Sequence, residues 1–127
     1  MDRYAINELV RWKNARRRKP LIIEGARQVG KTWLVKDFAC KHYDNIAYIN
    51  FEEQIYLRNL FETDFDVTRI ISAIGAAAHQ NCMPGKTLIF LDEIQEAPNG
   101  VTALKYFYEN ASDYHIIAAG SLLGLEL

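Results

Sequence analysis

"PLIIEGARQVGKTW", residues 20–33, sets two glycines five positions apart and follows the second one at once with a lysine and a threonine. The first five residues form a short apolar run, and the residues after the second glycine repeat apolar side chains at helical spacing. The pattern G-x-x-x-x-G-K-[ST] therefore stands between a predicted strand and a predicted helix, which is the context that such a motif requires. It predicts a loop built around a phosphate group rather than an ordinary strand-to-helix turn.

Each residue type in this loop has a chemical reason. Gly25 and Gly30 let the backbone turn tightly and bring successive N–H groups onto phosphate oxygens. The helix that begins near Lys31 points its positive dipole end at the same anion, and the lysine adds a mobile charge for the β- and γ-phosphates. The Thr32 hydroxyl is placed to ligate Mg²⁺, which retains several waters. We expect the nucleotide to be bound by Gly25, Ala26, Arg27, Gln28, Val29, Gly30, Lys31, Thr32 and Trp33.

A second stretch, "LIFLDE" (88–93), ends the most apolar run of the chain with two adjacent carboxylates. Ligands of open α/β sheets bind outside the carboxyl ends of the strands, so Asp92 and Glu93 are expected beside the phosphate loop. We expect Asp92 to hold Mg²⁺ through its water shell. Glu93 is expected to face another side and to polarise the water that attacks the γ-phosphate.

The acidic pair also favours ATP over GTP. A carboxylate base beside the metal-binding aspartate marks the branch of these proteins that hydrolyses ATP with its own base, whereas Ras-type GTPases orient water with a glutamine. No N-K-x-D stretch that would read guanine occurs in the chain.

Strands and helices are predicted to alternate along the whole chain. The strands are continuously apolar, which is typical of a parallel sheet that helices cover on both faces. The fold class is therefore α/β, a P-loop nucleoside triphosphatase core with about four strands. We expect strands over 20–24, 45–51, 87–93 and 114–121, and helices over 4–17, 31–43, 53–61, from Asp64 or Asp66 to about 79, and over 100–110 with Asn99 as its cap.

Composition limits the partners and the compartment. The chain has 127 residues, which fits one domain, and its 15 basic and 16 acidic residues leave a net charge of −1. We therefore do not expect this domain alone to bind nucleic acid, or the chain to bind an anionic membrane. No apolar run approaches the ~20 residues that span a bilayer. Two cysteines without metal-ligand spacing favour free thiols, and we expect a cytoplasmic protein, although one disulfide stays open.

Several residues admit two interpretations. The basic run "RRRK" (16–19) could contact a phosphate backbone, but a solvated basic end of the first helix explains it more simply. Three scattered histidines, His42, His79 and His115, have no metal-ligand spacing and are expected at the surface or at strand starts. Arg27 and Gln28 can reach a neighbouring subunit or face solvent.

Four stretches together, "PLIIEGARQVGKTWLVKDF", "YINFE", "LIFLDEIQEAP" and "IIAAGSLLG", resemble the AAA-type ATPase domain of a large prokaryotic family. Members of that family carry a C-terminal domain of unknown function and are similar to the AAA+ and STAND ATPases. The resemblance covers nearly all of residues 1–127, and it implies an ATPase with ATP and Mg²⁺ as cofactors.

The resemblance has further implications at the end of the chain. In such proteins a polar residue at the tip of the strand after the acidic pair senses the γ-phosphate, and Ser121 occupies that position here; a simple strand-end turn is the alternative. The family's next strand, lid and C-terminal domain do not follow within these residues, so we expect an incomplete core. Such a core would bind nucleotide weakly, hydrolyse it slowly and self-associate through the uncovered edge of the strand "PLIIE".

Three functions fit these patterns. One is an ATPase whose hydrolysis changes the conformation of an attached C-terminal domain or a partner protein, with a homo-oligomer allowed. Another is an ATP-dependent switch or scaffold with negligible turnover, which would use the same site. A P-loop small-molecule kinase is the third. It needs a phosphoryl-acceptor pocket and an arginine-rich lid, neither of which is visible, and the acidic pair favours the ATPase over it.

Overall fold

The computed structural model describes residues 3–24 and 29–121. In this part of the chain four strands alternate with four helices, as the sequence predicted. The helices are α1 (Arg3–Lys13), α2 (Val29–His42), α3 (Val67–Ala78) and α4 (Gly100–Asn110), and the strands are β1 (Leu21–Glu24), β2 (Asn45–Asn50), β3 (Thr87–Asp92) and β4 (His115–Gly120). Two short 3₁₀ turns occupy Ile55–Leu57 and Ile94–Glu96.

The four strands form one all-parallel sheet in the order β1-β4-β3-β2. All six residues of β3 and the first five of β4 are buried, which explains why these strands read as continuous apolar runs. The predicted α/β class with a parallel sheet between helices is confirmed. Strand β1 pairs with β4 on one side only, and no other described strand lies beside it.

Two hydrophobic clusters, one on each face of the sheet, form the core. Alternate residues of β3 point to opposite faces: Ile89 and Leu91 pack in the cluster with α3 and α4, whereas Leu88 and Phe90 pack in the cluster with α1 and α2. Helices therefore cover both faces of the sheet, and a ligand would have to bind at the carboxyl or the amino ends of the strands.

Helix α1 ends four residues earlier than predicted, at Lys13, and the basic run lies in the turn that follows it. The chain folds back there because the Trp12 indole N–H donates to the Lys19 carbonyl at 2.6 Å. Arg18 then donates to the Lys13 carbonyl at 3.2 Å, which satisfies an acceptor at the end of the helix, and to the Ser112 carbonyl at 3.0 Å. Arg18 of the basic run is thus part of the fold.

The helix predicted over 53–61 was wrong, since only the 3₁₀ turn Ile55–Leu57 forms there. The side-chain oxygen of Asn50 accepts from the backbone N–H groups of Glu52 and Glu53, at 2.9 and 3.3 Å. Arg58 donates to the Phe51 carbonyl at 2.7 Å. These bonds give the backbone a local alternative to a helix.

The caps of the remaining helices follow the sequence in part. Asp66 caps α3, and its carboxylate accepts from the backbone N–H groups of Thr68 and Arg69. Asn99 does precede α4, but it adopts a left-handed conformation (φ 66°) and its side chain makes no capping bond. Instead its amide donates to the Phe61 carbonyl at 3.4 Å. Across the described residues no helix is long and apolar enough to cross a membrane.

Candidate functional site

Most of the predicted site residues that the structure describes lie at the carboxyl edge of the sheet. The register pairs Glu24, the last residue of β1, with Gly120, the last residue of β4. Asp92 ends β3, the strand next to β4. Because all strands run parallel, these three strand ends share one edge, at which α2 also begins. Residues 25–28, and with them four of the predicted phosphate-loop positions, lie outside the described part of the chain.

The first turn of α2 brings Lys31 and Thr32 to this edge. The Lys31 ammonium donates to the Glu24 carbonyl, so the lysine reaches across from the helix to the end of β1. The Thr32 hydroxyl donates to Asp92 Oδ2 at 3.0 Å, across 60 positions of sequence. The two halves of the predicted site, the loop-helix junction and the acidic strand end, are therefore in direct contact.

The Asp92 carboxylate is buried and held at both of its oxygens. Its Oδ2 accepts from the Thr32 hydroxyl and also from the Tyr48 hydroxyl, the latter at 2.7 Å. Its Oδ1 accepts from the backbone N–H of Glu93 at 3.0 Å. Three donors fix the carboxylate, which compensates part of the cost of burying it.

Tyr48 is a site residue that the sequence analysis missed. Burial, and then the hydrogen bond to Asp92, raise the pKa of Tyr48 well above its ordinary value, so its hydroxyl stays a donor. Asn50 donates to the same hydroxyl at 3.3 Å, and the Lys36 ammonium lies 4.0 Å from the centre of the ring. The stretch "YINFE" contained a sequence signal for this residue. Tyr48 and Asn50 are two apart near the end of β2, so their side chains share a face, and β2 lies beside β3.

Glu93 directly follows β3 and adopts a left-handed backbone conformation, with φ 54° and ψ 47°. This conformation costs a non-glycine residue about 1–2 kcal/mol, and such outliers cluster at functional sites. The Glu93 side chain is buried, and its Oε1 accepts from the Gln95 amide at 3.2 Å. The different orientation expected for the two adjacent carboxylates stays a prediction.

Ser121 follows β4, which lies between β1 and β3, so it stands between the loop-bearing strand and the acidic strand. It is half-buried. Trp33 is 53% exposed on the first turn of α2. The structure thus brings Lys31, Thr32, Asp92, Glu93 and Ser121 to one edge, and Trp33 faces solvent near it.

The oxygen donors at this edge fit a magnesium ion. Mg²⁺ is usually held by one or two protein oxygens together with waters and substrate phosphates. The Thr32 hydroxyl and the Asp92 carboxylate, 3.0 Å apart, form such a pair. Their hard oxygen chemistry suits Mg²⁺ better than a softer transition metal.

Other sequence features lie away from this edge. A cavity of about 390 Å³ lies where β1 and β4 begin, at the opposite edge, and is lined by Arg16, Arg17, Arg18, Tyr108, Glu109 and Ser112. His42 and His79 are exposed, as expected, whereas His115 starts β4 but is buried against Tyr43. Both cysteines are free thiols, so the disulfide that stayed open does not form.

The parallel sheet and the contact between its two motifs define the chain as an α/β domain of the P-loop nucleoside triphosphatase type. A family model described as an AAA domain matches residues 17–127. The chain belongs to this AAA domain family, whose members bind nucleotide and act as ATPases. No curated protein and no solved structure matches the chain.

Proposed function

We propose that this protein binds ATP with Mg²⁺ and hydrolyses it. The observation that carries the proposal is the 3.0 Å hydrogen bond between the Thr32 hydroxyl and Asp92 Oδ2. A threonine in the first turn of a helix and an aspartate that ends a strand have no structural need to meet across 60 positions. Their contact places two hard oxygen ligands beside a helix N-terminus, where phosphate groups bind.

Different residues of the site would bind the phosphates and the Mg²⁺ ion. Lys31, now bonded to the Glu24 carbonyl, is close enough to exchange that partner for the β- and γ-phosphates. Thr32 and Asp92 would hold Mg²⁺, which neutralises phosphate charge when bound. The backbone of residues 25–30 would surround the phosphates, and Trp33 would lie at the margin of the site.

Glu93 is the proposed general base, and Ser121 the proposed contact to the γ-phosphate. Glu93 is buried beside the metal ligand, so a water bound there would be polarised in a site with little bulk solvent. Ser121 directly follows β4, the strand that lies between β1 and β3. Hydrolysis would therefore be sensed at the end of β4.

We further propose that hydrolysis is coupled to a conformational change in a partner protein or a C-terminal domain. Within the AAA domains, the motifs fit the prokaryotic group that carries such a domain of unknown function. A homo-oligomer is compatible with β1, whose second side pairs with no described strand. The alternative is an ATP-dependent switch with negligible turnover. A cytoplasmic location is part of the proposal, because both cysteines are free.

Lys31→Ala should weaken ATP and ADP binding by at least about tenfold and abolish turnover, because the mobile charge on the phosphates is lost. The measurement is nucleotide titration, together with the rise in melting temperature that bound nucleotide produces. Lys41→Ala is the matched control, since Lys41 lies on the same helix and pairs with Asp37 instead. If Lys31→Ala bound ATP and ADP as tightly as wild type, the assignment of residues 25–32 as a phosphate-binding loop would be wrong.

Glu93→Gln should keep Mg²⁺-ATP bound and lower phosphate release by about 10²–10⁴-fold, the range for loss of a general base. Asp92→Asn should instead raise the Mg²⁺ concentration that binding requires. Steady-state phosphate release with and without Mg²⁺ measures both effects. Equal rates for wild type and Glu93→Gln would exclude Glu93 as the base, and nucleotide binding without any turnover would favour the switch.

A further inference from the structure

The Gln95 side chain makes one hydrogen bond and leaves one buried acceptor without a partner. Its amide nitrogen donates to Glu93 Oε1 at 3.2 Å. Its Oε1 is buried, and no group in the described part of the chain donates to it. Such orphan acceptors are few in folded proteins, and each is costly. Turning the amide over would not help, because its oxygen would then face the Glu93 carboxylate.

The orphan oxygen lies against the tip of β4. A Cβ atom built on Gly120 would lie only 2.0 Å from Gln95 Oε1, and 3.2 Å from the Cδ of the same side chain. Gln95 can therefore occupy this position only because residue 120 has no side chain. Gly120 directly precedes Ser121, so one glutamine touches both the acidic turn after β3 and the strand tip proposed to sense the γ-phosphate.

Simple packing does not explain why a glutamine occupies this position. An apolar side chain of similar length would fill the same space without leaving an acceptor unsatisfied. What the amide adds is an N–H donor aimed at a carboxylate whose backbone is already constrained in the left-handed region. A donor on one carboxylate oxygen restricts rotation of the group and so fixes the direction in which it can accept a proton.

We propose that Gln95 is a positioning residue, which holds the Glu93 carboxylate against the tip of β4 so that the chemical step, but not nucleotide binding, depends on it. The inference rests on the proposed ATPase function. It goes further by assigning the alignment of the base to an amide that bridges two neighbouring strand ends, β3 and β4. No atom of Gln95 is required to contact the nucleotide or Mg²⁺.

Gln95→Met and Gln95→Ala test the donor separately from the packing. Methionine keeps the length and volume of the side chain but has no N–H group. We expect both variants to lower kcat by about 10- to 100-fold, as for a lost positioning contact. The KM for ATP and the affinity for ADP should stay within about threefold of wild type. Wild-type kcat in Gln95→Met, with a defect only in Gln95→Ala, would reduce the role of Gln95 to packing and overturn the inference.

Gly120→Ala tests the same contact from the other strand. Its new methyl group would collide with Gln95 Oε1, so the amide must leave and kcat should fall as in Gln95→Met. The double variant Gln95→Ala/Gly120→Ala removes the collision while keeping any backbone cost of alanine at φ 158°. We therefore expect the two effects on kcat to be strongly non-additive. Fully multiplicative losses would show that Gly120 acts independently of Gln95.

All variants are compared with Glu93→Gln in the full-length protein, and nucleotide binding is measured alongside. If Glu93→Gln is inactive while Gln95→Met and Gly120→Ala keep wild-type kcat, the inference fails and the ATPase proposal stands. If wild type binds no nucleotide, both fail. If wild type binds nucleotide but does not turn it over, no chemical step depends on Gln95, so the inference fails while the proposal of nucleotide binding stands.

Discussion

At the scale of single residues, the site is organised around one buried carboxylate. Asp92 accepts from a helix (Thr32), from the neighbouring strand (Tyr48) and from its own backbone turn (the N–H of Glu93). Donors from three directions restrict the orientation of the carboxylate, which suits the role of metal ligand that we propose for it.

Tyr48→Phe removes one of these donors without changing the volume of the ring. Loss of such an outer contact typically costs 10- to 100-fold in metal affinity, so we expect the Mg²⁺ concentration for half-maximal ATP binding to rise by about tenfold. Affinity for nucleotide without Mg²⁺ should stay unchanged. Titration with Mg²⁺ at fixed ATP measures the effect, and Tyr56→Phe is the control because Tyr56 is exposed. Identical titrations for wild type and Tyr48→Phe would show that Tyr48 has no part in holding the ligand.

At the scale of elements, α3 shows how side chains define a boundary. Asp66 has an extended backbone, and its carboxylate accepts from two N–H groups of the first helical turn. His79 closes the other end in a left-handed conformation (φ 56°). The helix between them buries Ile70, Ile71 and Ile74 against the sheet. Polar caps and an apolar face agree here, which is why the sequence located this helix well.

Asp66→Ala should lower the free energy of unfolding by about 1 kcal/mol, the usual cost of a lost N-cap. Asp66→Asn keeps an acceptor oxygen and should lose much less. Urea denaturation of both variants measures the difference. Nucleotide binding should be unaffected, since Asp66 is exposed and its carboxylate accepts from Thr68 and Arg69, neither of which is a predicted site residue. If Asp66→Asn lowered the free energy of unfolding as much as Asp66→Ala does, the charge of Asp66 rather than its capping bonds would explain the effect.

At the scale of the whole molecule, a buried aromatic cluster joins three elements on the face opposite α3 and α4. The Tyr43 hydroxyl lies 2.6 Å from His115 Nδ1, and the Trp12 ring meets the same imidazole edge-on at 5.9 Å. Burial, with Arg18 and Lys13 nearby, lowers the pKa of His115 to about 4. The imidazole is therefore neutral in the folded protein at pH 7.

Stability should consequently fall as the pH drops from about 6.5 towards 4. In this range the unfolded chain takes up a proton on His115 that the folded protein excludes, so acid favours unfolding. Above pH 6.5 both states are neutral at this residue, and its contribution is constant. Urea unfolding from pH 7 to 4 measures the slope, and His115→Gln should flatten it relative to wild type. Parallel pH profiles for the two proteins would contradict the assignment.

The fold class and the two motifs that meet at the carboxyl edge of the sheet could be predicted from local patterns in the sequence. Continuous apolar strands require a sheet covered on both faces, and the glycine loop and the acidic pair are local patterns whose meaning depends only on neighbouring residues. Local hydrogen bonds that compete with a helix, as at Asn50 and Arg58, were not visible in the same way, because propensity alone predicted a helix there.

How these parts meet could not be predicted from local patterns, because it depends on the order of the strands and on the packing of distant segments. The strand order β1-β4-β3-β2 places the tip of β4 between the end of β1 and the acidic turn after β3, and no local pattern specifies that order. Tyr48 reaches Asp92 across 44 positions, and Gln95 lies against Gly120 because the two strand ends are neighbours in the sheet. Contacts of this kind depend on which distant residues the packing brings within a few ångströms, whereas periodicity and motifs report on neighbours along the chain.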